Sequence, residues 1–211
     1  MSNAHVFNPL DKKSLGESVV QALERVAPSN LSTLDEFKGA GMYALYYHGA
    51  FPPYAALSAK NRPVPSHPIY VGKAVPAGAR KGANEITGVD SRALWLRLRE
   101  HADSIKVADG IAPGEFTCRH LVVDDIWIGL GESLLIQAYA PLWNTVVEGF
   151  GNHDPGAGRR GGKRPAWDEL HAGRTWAKRL QPAKLDRPQI LAEIASYMSR
   201  FSPPPPPKSS P

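Results

Sequence analysis

The sequence predicts an α/β (α+β) protein built as a small antiparallel or mixed β-sheet flanked by helices. Three observations carry that expectation. Residues 42–47 and 68–72 combine aromatic and β-branched side chains between glycine and proline boundaries, the composition of strands. Phe116, Cys118, His120 and Val122 alternate, which predicts an antiparallel strand within 115–128, with Asp124-Asp125 as a turn or cap. Longer stretches repeat apolar residues at helical spacing. A chain of 211 residues can bury a proper core as one domain, with or without elaborations.

The elements follow in order. A helix over 14–27 lines up Leu15, Val19, Leu23 and Val26 and stops at Pro28. A short helix is expected over 33–38, with Thr33 as N-cap and Glu36 as its capping-box partner. Alternation in strand 42–47 sends Tyr43, Leu45 and Tyr47 to one face and Met42, Ala44 and Tyr46 to the other. Residues 48–67 are proline-rich, which predicts a loop without a regular element, and 76–90 form a second, glycine-bearing loop. In a helix over 91–106, Leu94, Leu98 and Ile105 make a buried stripe, and Arg97 and His101, four apart, share a face. The helix over 128–139 carries Glu132 near its start. Six glycines over 149–162 predict a flexible basic arm, followed by helices over 167–180 and 188–201 and a proline run over 202–211 that should be disordered or polyproline II. The whole chain, 1–211, reads as a single domain with its core at about 39–144.

Composition narrows the function classes. The single Cys118 excludes a disulfide framework and suits a reducing, cytoplasmic setting. No apolar run is long enough to span a bilayer and the N-terminus lacks a signal-type apolar segment, so no membrane partner is expected. The net charge of +5 is concentrated: between Arg159 and Arg187 lie nine Lys or Arg against three acids. Such a stretch is either a solvated surface or a footprint for a polyanion, because lysine and arginine release counterions on meeting phosphate.

The polar residues fall in a telling order. Gly41-Met42-Tyr43 is followed by Tyr70-Val71-Gly72-Lys73, then by Arg97 and His101 in Arg-x-x-x-His, by Glu132 opening a helix, and by Asn144 in Pro141-Leu142-Trp143-Asn144. None of these is specific alone. Five in this order, over residues 39–144, resemble the GIY-YIG nuclease family. Met42 stands for the usual isoleucine, a packing position, and the long insert between the tyrosine motifs looks like the restriction endonuclease branch, closest to members that cut the palindrome CCGCGG. The resemblance implies double-stranded DNA as substrate, one Mg2+ per active site, and functional residues at Tyr43, Tyr70, Arg97, His101, Glu132 and Asn144.

Phosphodiester hydrolysis requires that water be deprotonated, that the charge gathering on the phosphate be offset, and that the leaving oxygen be stabilised. Glu132, the only carboxylate of the set, offers the hard oxygen that Mg2+ takes, although the helix dipole also favours a glutamate in a first turn. Arg97 keeps its charge at any relevant pH and can grip the phosphate. His101 serves as a proton relay or as partner to a tyrosine hydroxyl. A phenol with a pKa of about 10 is a poor base, so metal-bound water, Arg97 and His101 are expected to lower that of Tyr43, which then accepts or relays the water's proton while Tyr70 orients water or phosphate. Lys73 steadies a phosphate or the attacking water, or is simply a surface lysine. Asn144, by the resemblance, ties the active-site elements together.

DNA contacts are expected from Lys60 and Arg62 in the first loop, from Arg80, Lys81 and Asn84 in the second, and from Arg159, Arg160, Lys163 and Arg164 in the arm. Cutting both strands of a palindrome points to a homodimer. The helix over 14–27, the insert with Phe51 and Tyr54, and the last helix with Ile194 and Phe201 are candidates for building it or for capping the core. Other readings are a homing or repair-type nuclease, or a binding module that keeps the fold without the reaction.

Overall fold

The computed structural model describes residues 11–76, 90–156 and 161–201. Strands β1 (Ser29–Asn30), β2 (Gly41–Tyr47), β3 (Tyr70–Ala74) and β4 (Phe116–Val122) form one antiparallel sheet in the order β1-β4-β2-β3. Strand β2 is interior, and all seven of its residues are buried. It reads as an unbroken apolar run because both faces are covered. Tyr43, Leu45 and Tyr47 enter the larger core with Leu94, Leu98 and Trp143, while Met42, Ala44 and Tyr46 enter a smaller one with Leu23, Val71 and Leu135. Alternation along one strand therefore assigns its side chains to two separate layers.

Three helices supply most of those layers: α1 (Lys12–Arg25), α3 (Ala93–Lys106) and α4 (Asp125–Tyr139), with α2 (Ala55–Lys60) between the first two in sequence. Helices α1 and α4 pack on each other, and α4 covers the Met42 face of β2 and β3. Helix α3 closes the Tyr43 face. Short helices α5 (Leu142–Thr145) and α6 (Ala166–Leu170) lead to α7 (Arg187–Met198), whose Ile190 and Ile194 join the larger core.

Several local expectations are corrected. The proline-rich insert holds α2, entered through a 3-10 turn over Pro52–Tyr54, because a helical first turn needs no proline N–H. Tyr54 and Leu57 are fully buried, and the buried Asn61 bonds the carbonyls of Tyr47 and His67, so this segment belongs to the core. Phe51 and Tyr54 are thus engaged within the chain, as is Ile194. The helix expected over 33–38 is only a 3-10 turn, Leu31–Thr33, capped by Asn30, whose side chain accepts from the Ser32 N–H. Asp124-Asp125 starts α4, with Asp124 accepting from the N–H of Ile126, so the helix begins three residues earlier than its apolar pattern indicated. The helix expected over 167–180 ends at Leu170. Gly173 runs so close to the Val107 carbonyl that a Cβ would overlap it, and that close approach turns the chain.

Candidate active site

The tyrosine motifs meet because β2 and β3 pair in a register that places Tyr43 opposite Gly72. A Cβ at Gly72 would overlap the Tyr43 hydroxyl, so this glycine is what lets the phenol lie across the neighbouring strand. The Tyr43 hydroxyl reaches Nε2 of His101 at 2.6 Å. His101 belongs to the buried stripe of α3 with Leu94, Leu98 and Ile105. The Tyr70 ring stands 6.3 Å from that of Tyr43 and 5.4 Å, nearly edge-on, from His101.

Burial sets the proton chemistry here. It raises the Tyr43 phenol well above its ordinary value, an effect that nearby Tyr70 adds to and Arg97 only partly opposes. Tyr70 is likewise raised by burial against the pull of Arg97. His101 is pushed well below its ordinary value by burial and then by the Arg97 charge. Arg97 does pull the Tyr43 phenol down, as expected, but desolvation of the anion outweighs that attraction, so the expected net lowering by the protein's own groups is corrected. Phenol and imidazole are both held neutral.

Arg97, one turn before His101 on α3, donates to Glu100 Oε2 at 2.7 Å and to the Gly151 carbonyl at 2.6 Å, and its Nη1 lies 2.7 Å from Nε2 of His153. It lines an open cleft with Lys73, Arg92, Leu96, Glu100 and His153. Cations thus surround this mouth, the charge a phosphate chain seeks.

Glu132 arrives from the other layer. Lys73 alternates with Gly72 and so faces α4, where its ammonium meets Glu132 Oε2 at 2.6 Å. A Cβ at Gly131 would overlap the tip of Met42, so the helix packs tightly on β2 one residue before Glu132. The carboxylate nonetheless acts on both tyrosine hydroxyls, raising each. The site thus straddles edge strand β3, with tyrosines, Arg97 and His101 on one side and Glu132 on the other. Because α4 begins at Asp125, Glu132 sits in its middle rather than its first turn, which removes the helix dipole as the reason for a glutamate there. Its partly exposed carboxylate offers the hard oxygen that Mg2+ takes, a metal that accepts a single protein carboxylate and completes its coordination with water and phosphate oxygens; Lys73, which occupies Oε2, has to give way to it. Among the described residues no cluster of three or more His, Cys, Asp or Glu could hold a metal by itself.

Asn144 closes the outer edge of the same strand. Its Oδ1 accepts from the Val71 N–H at 2.8 Å and its Nδ2 donates to the Val71 carbonyl at 2.9 Å, as a next strand would. With this, every motif position is accounted for in one constellation across β2, β3, α3, α4 and α5.

A family model described as the Eco29kI GIY-YIG domain matches residues 35–198. The chain belongs to the GIY-YIG nuclease family. No curated protein matches it. The match extends past Asn144 to the last residue of α7, so it covers the C-terminal helices as well as β2, β3 and β4.

Of the loop and arm residues expected to touch DNA, Lys60, Arg62, Lys163 and Arg164 lie within the described residues of this GIY-YIG chain. Lys60 and Arg62 are exposed at the end of α2, where Arg62 donates to the His48 carbonyl. Lys163 is exposed, beside a bridge to Gln181. Arg164 is half-buried, held by Glu169 at 3.0 Å and by the Ala177 carbonyl. Arg80, Lys81, Asn84, Arg159 and Arg160 lie outside the described residues. Among the described residues no helix is long and apolar enough to cross a membrane.

Sequence reasoning missed Phe150, Gly151 and His153, which it placed in a flexible arm. Phe150 is buried and stacks on His101 with centroids 4.4 Å apart, and Gly151 and His153 meet Arg97. A phenylalanine alone among glycines was the available signal, since an aromatic there has little reason to exist unless it packs.

Proposed function

We propose that this chain is a Mg2+-dependent type II restriction endonuclease that hydrolyses phosphodiester bonds in both strands of double-stranded DNA at a GC-rich palindrome, with CCGCGG as the candidate site. The carrying observation is the convergence of Tyr43, Tyr70, Arg97 and His101 on one side of β3 with Glu132 paired to Lys73 of the same strand on the other. The candidate site rests on the resemblance to the branch that cuts it.

In this reading Arg97 turns part of its guanidinium from Glu100 to a non-bridging phosphate oxygen and offsets the charge that grows there. Tyr43, hydrogen-bonded to a neutral His101, takes a proton from the attacking water on its oxygen as its own passes to Nε2. Shared transfer of this kind avoids a free phenolate, which burial disfavours, and leaves His101 a transient imidazolium that burial and Arg97 press to give its proton back through Tyr43. Tyr70 orients water or phosphate beside it. Mg2+, held by Glu132, would supply a Lewis acid at the phosphate and the leaving oxygen. Lys73 leaves Glu132 for the phosphate when that charge is matched otherwise. Asn144 keeps β3 in place under all of these groups.

Cutting both strands at a two-fold site calls for two copies of the chain whose axis coincides with that of the DNA. The test is incubation with plasmid DNA and Mg2+, mapping of the ends, and sedimentation with a short duplex bearing the mapped site. Double-strand breaks at one GC-rich palindrome by a two-chain complex are expected. Nicking without a fixed sequence, or concerted cutting by one chain per duplex, would contradict the restriction reading.

A further inference from the structure

We propose that residues 149–153 form a wall of the active site and that Arg174 is a positioning residue, holding Arg97 and His101 in place through that wall. The proposal rests on the nuclease reading for its catalytic consequence and on geometry alone for its structural one.

Arg174 is buried, 6% exposed, and every guanidinium N–H has an acceptor. Nη1 donates to the carbonyls of Phe150 at 2.9 Å and Asn152 at 3.1 Å, Nη2 to that of Gly149 at 2.9 Å and to Asp168 Oδ2, and Nε to Asp168 Oδ1 at 2.7 Å. Five donors in a rigid fork are used on five oxygens, which only arginine can do. The Asp168 carboxylate, itself buried, balances the charge, and the guanidinium lies 4.6 Å from the centroids of both the Trp167 and Trp176 rings. One cation thereby fixes the carbonyls of Gly149, Phe150 and Asn152 in a segment that has no helix or strand of its own.

What that segment touches is the reaction site. Phe150 stacks on His101, tilted by 21°, and stands edge-on to Tyr70 with centroids 5.0 Å apart. The Gly151 carbonyl accepts from Arg97 Nη2, and His153 meets Nη1. A Cβ at Gly151 would overlap the Tyr70 hydroxyl and lie 3.5 Å from Arg97 Nη2. Of the contacts on Arg97, Glu100 is an exposed neighbour on the same helix and the Tyr43 and Tyr70 hydroxyls are within its reach, and the wall adds the Gly151 carbonyl and His153. Misplacing a clamp by about 1 Å can cost about a hundredfold in rate.

The test compares Gly151→Ala, Arg174→Lys and, as a control in the same part of the chain, Gly161→Ala, where a Cβ meets nothing within 4 Å. On a duplex that the wild type cuts, Gly151→Ala and Arg174→Lys are expected to lose about a hundredfold in single-turnover rate while duplex affinity changes by less than about threefold. Gly161→Ala should match the wild type in both. In metal-free, DNA-free protein, the NMR signals of the Arg97 guanidinium and the His101 ring should shift in the first two variants and stay in the third. Unchanged signals and an unchanged rate in Gly151→Ala would overturn the proposal, as would a rate loss that merely follows lost duplex affinity. Should Arg174→Lys fail to fold, Gly151→Ala decides. If the wild type cuts no DNA, the nuclease reading falls and the NMR comparison still decides whether the wall sets Arg97 and His101.

Discussion

The Tyr43 hydroxyl lies 2.6 Å from Nε2 of His101, and the two side chains are 1% and 2% exposed. Burial drives phenol and imidazole in opposite directions, the one above and the other below its ordinary pKa, so neither carries charge at neutral pH. With its proton on Nδ1, His101 accepts from Tyr43, and the phenol oxygen keeps lone pairs for a second partner. A water proton relayed through this pair ends on His101 as an imidazolium, which burial and Arg97 disfavour, so the charge is held only transiently.

Tyr43→Phe removes the oxygen and almost no volume. Cleavage should fall at least about a hundredfold, the usual worth of a proton-transfer group. Stability should fall by only about 1–3 kcal/mol, for a buried His101 nitrogen left without its partner. Single-turnover rates beside thermal melts check both. A variant that melts early yet turns over normally would reduce Tyr43 to packing.

Arg97→Lys keeps one charge but not the fork that serves Gly151 and the cleft together. Catalysis should drop by about tenfold or more beyond any loss of duplex affinity. Rates and binding isotherms measured on one duplex separate the two, and equal losses would mark Arg97 as a ground-state clamp.

Acid should destabilise the protein before its carboxylates protonate. His171 accepts from Tyr54 at 2.7 Å and meets the Asp109 carbonyl at 2.9 Å, and burial lowers its pKa from 6.5 to about 4. The unfolded chain therefore binds this proton first as pH falls. The contribution is complete above about pH 6.5 and is lost between there and about pH 4, about 3 kcal/mol in all, with His101 acting in the same direction. Urea midpoints should decline steadily from pH 7 to pH 4.5. A flat profile would show that these histidines protonate in the folded state.

Asn144→Asp trades the Nδ2 donor for an acceptor facing the Val71 carbonyl. An unmatched pair at a strand edge should cost about 1–3 kcal/mol and loosen β3 beneath Tyr70 and Gly72. Amide exchange along 70–74 reports it directly, and protection equal to the wild type would remove Asn144 from its proposed part.

Much of the fold was legible because β2 and α3 obey simple periodicities: alternation sorted Tyr43 from Met42, and a four-residue step put Arg97 beside His101. The order of polar motifs supplied the site. What escaped were features set by distant partners. The insert was hidden by prolines that turn out to begin a helix, and Glu132 looked close to a terminus because Asp124-Asp125 was read as a turn and the helix was started at Ile128. The wall over 149–153 was invisible because its order comes from Arg174, more than twenty residues later, and no local pattern encodes that contact. Lowering of the Tyr43 pKa was expected from charges alone, whereas the depth of the site, which decides it, is a tertiary property.

The most direct measurement is single-turnover hydrolysis of a duplex bearing the mapped site, with Mg2+, by the wild type and by Glu132→Gln. The amide keeps the shape of the side chain but loses the charge that would hold a cation. The variant should bind the duplex with about wild-type affinity and cut at least about a thousandfold more slowly. Cleavage by Glu132→Gln near the wild-type rate would contradict the assignment of Glu132 and with it the proposed chemistry of the site.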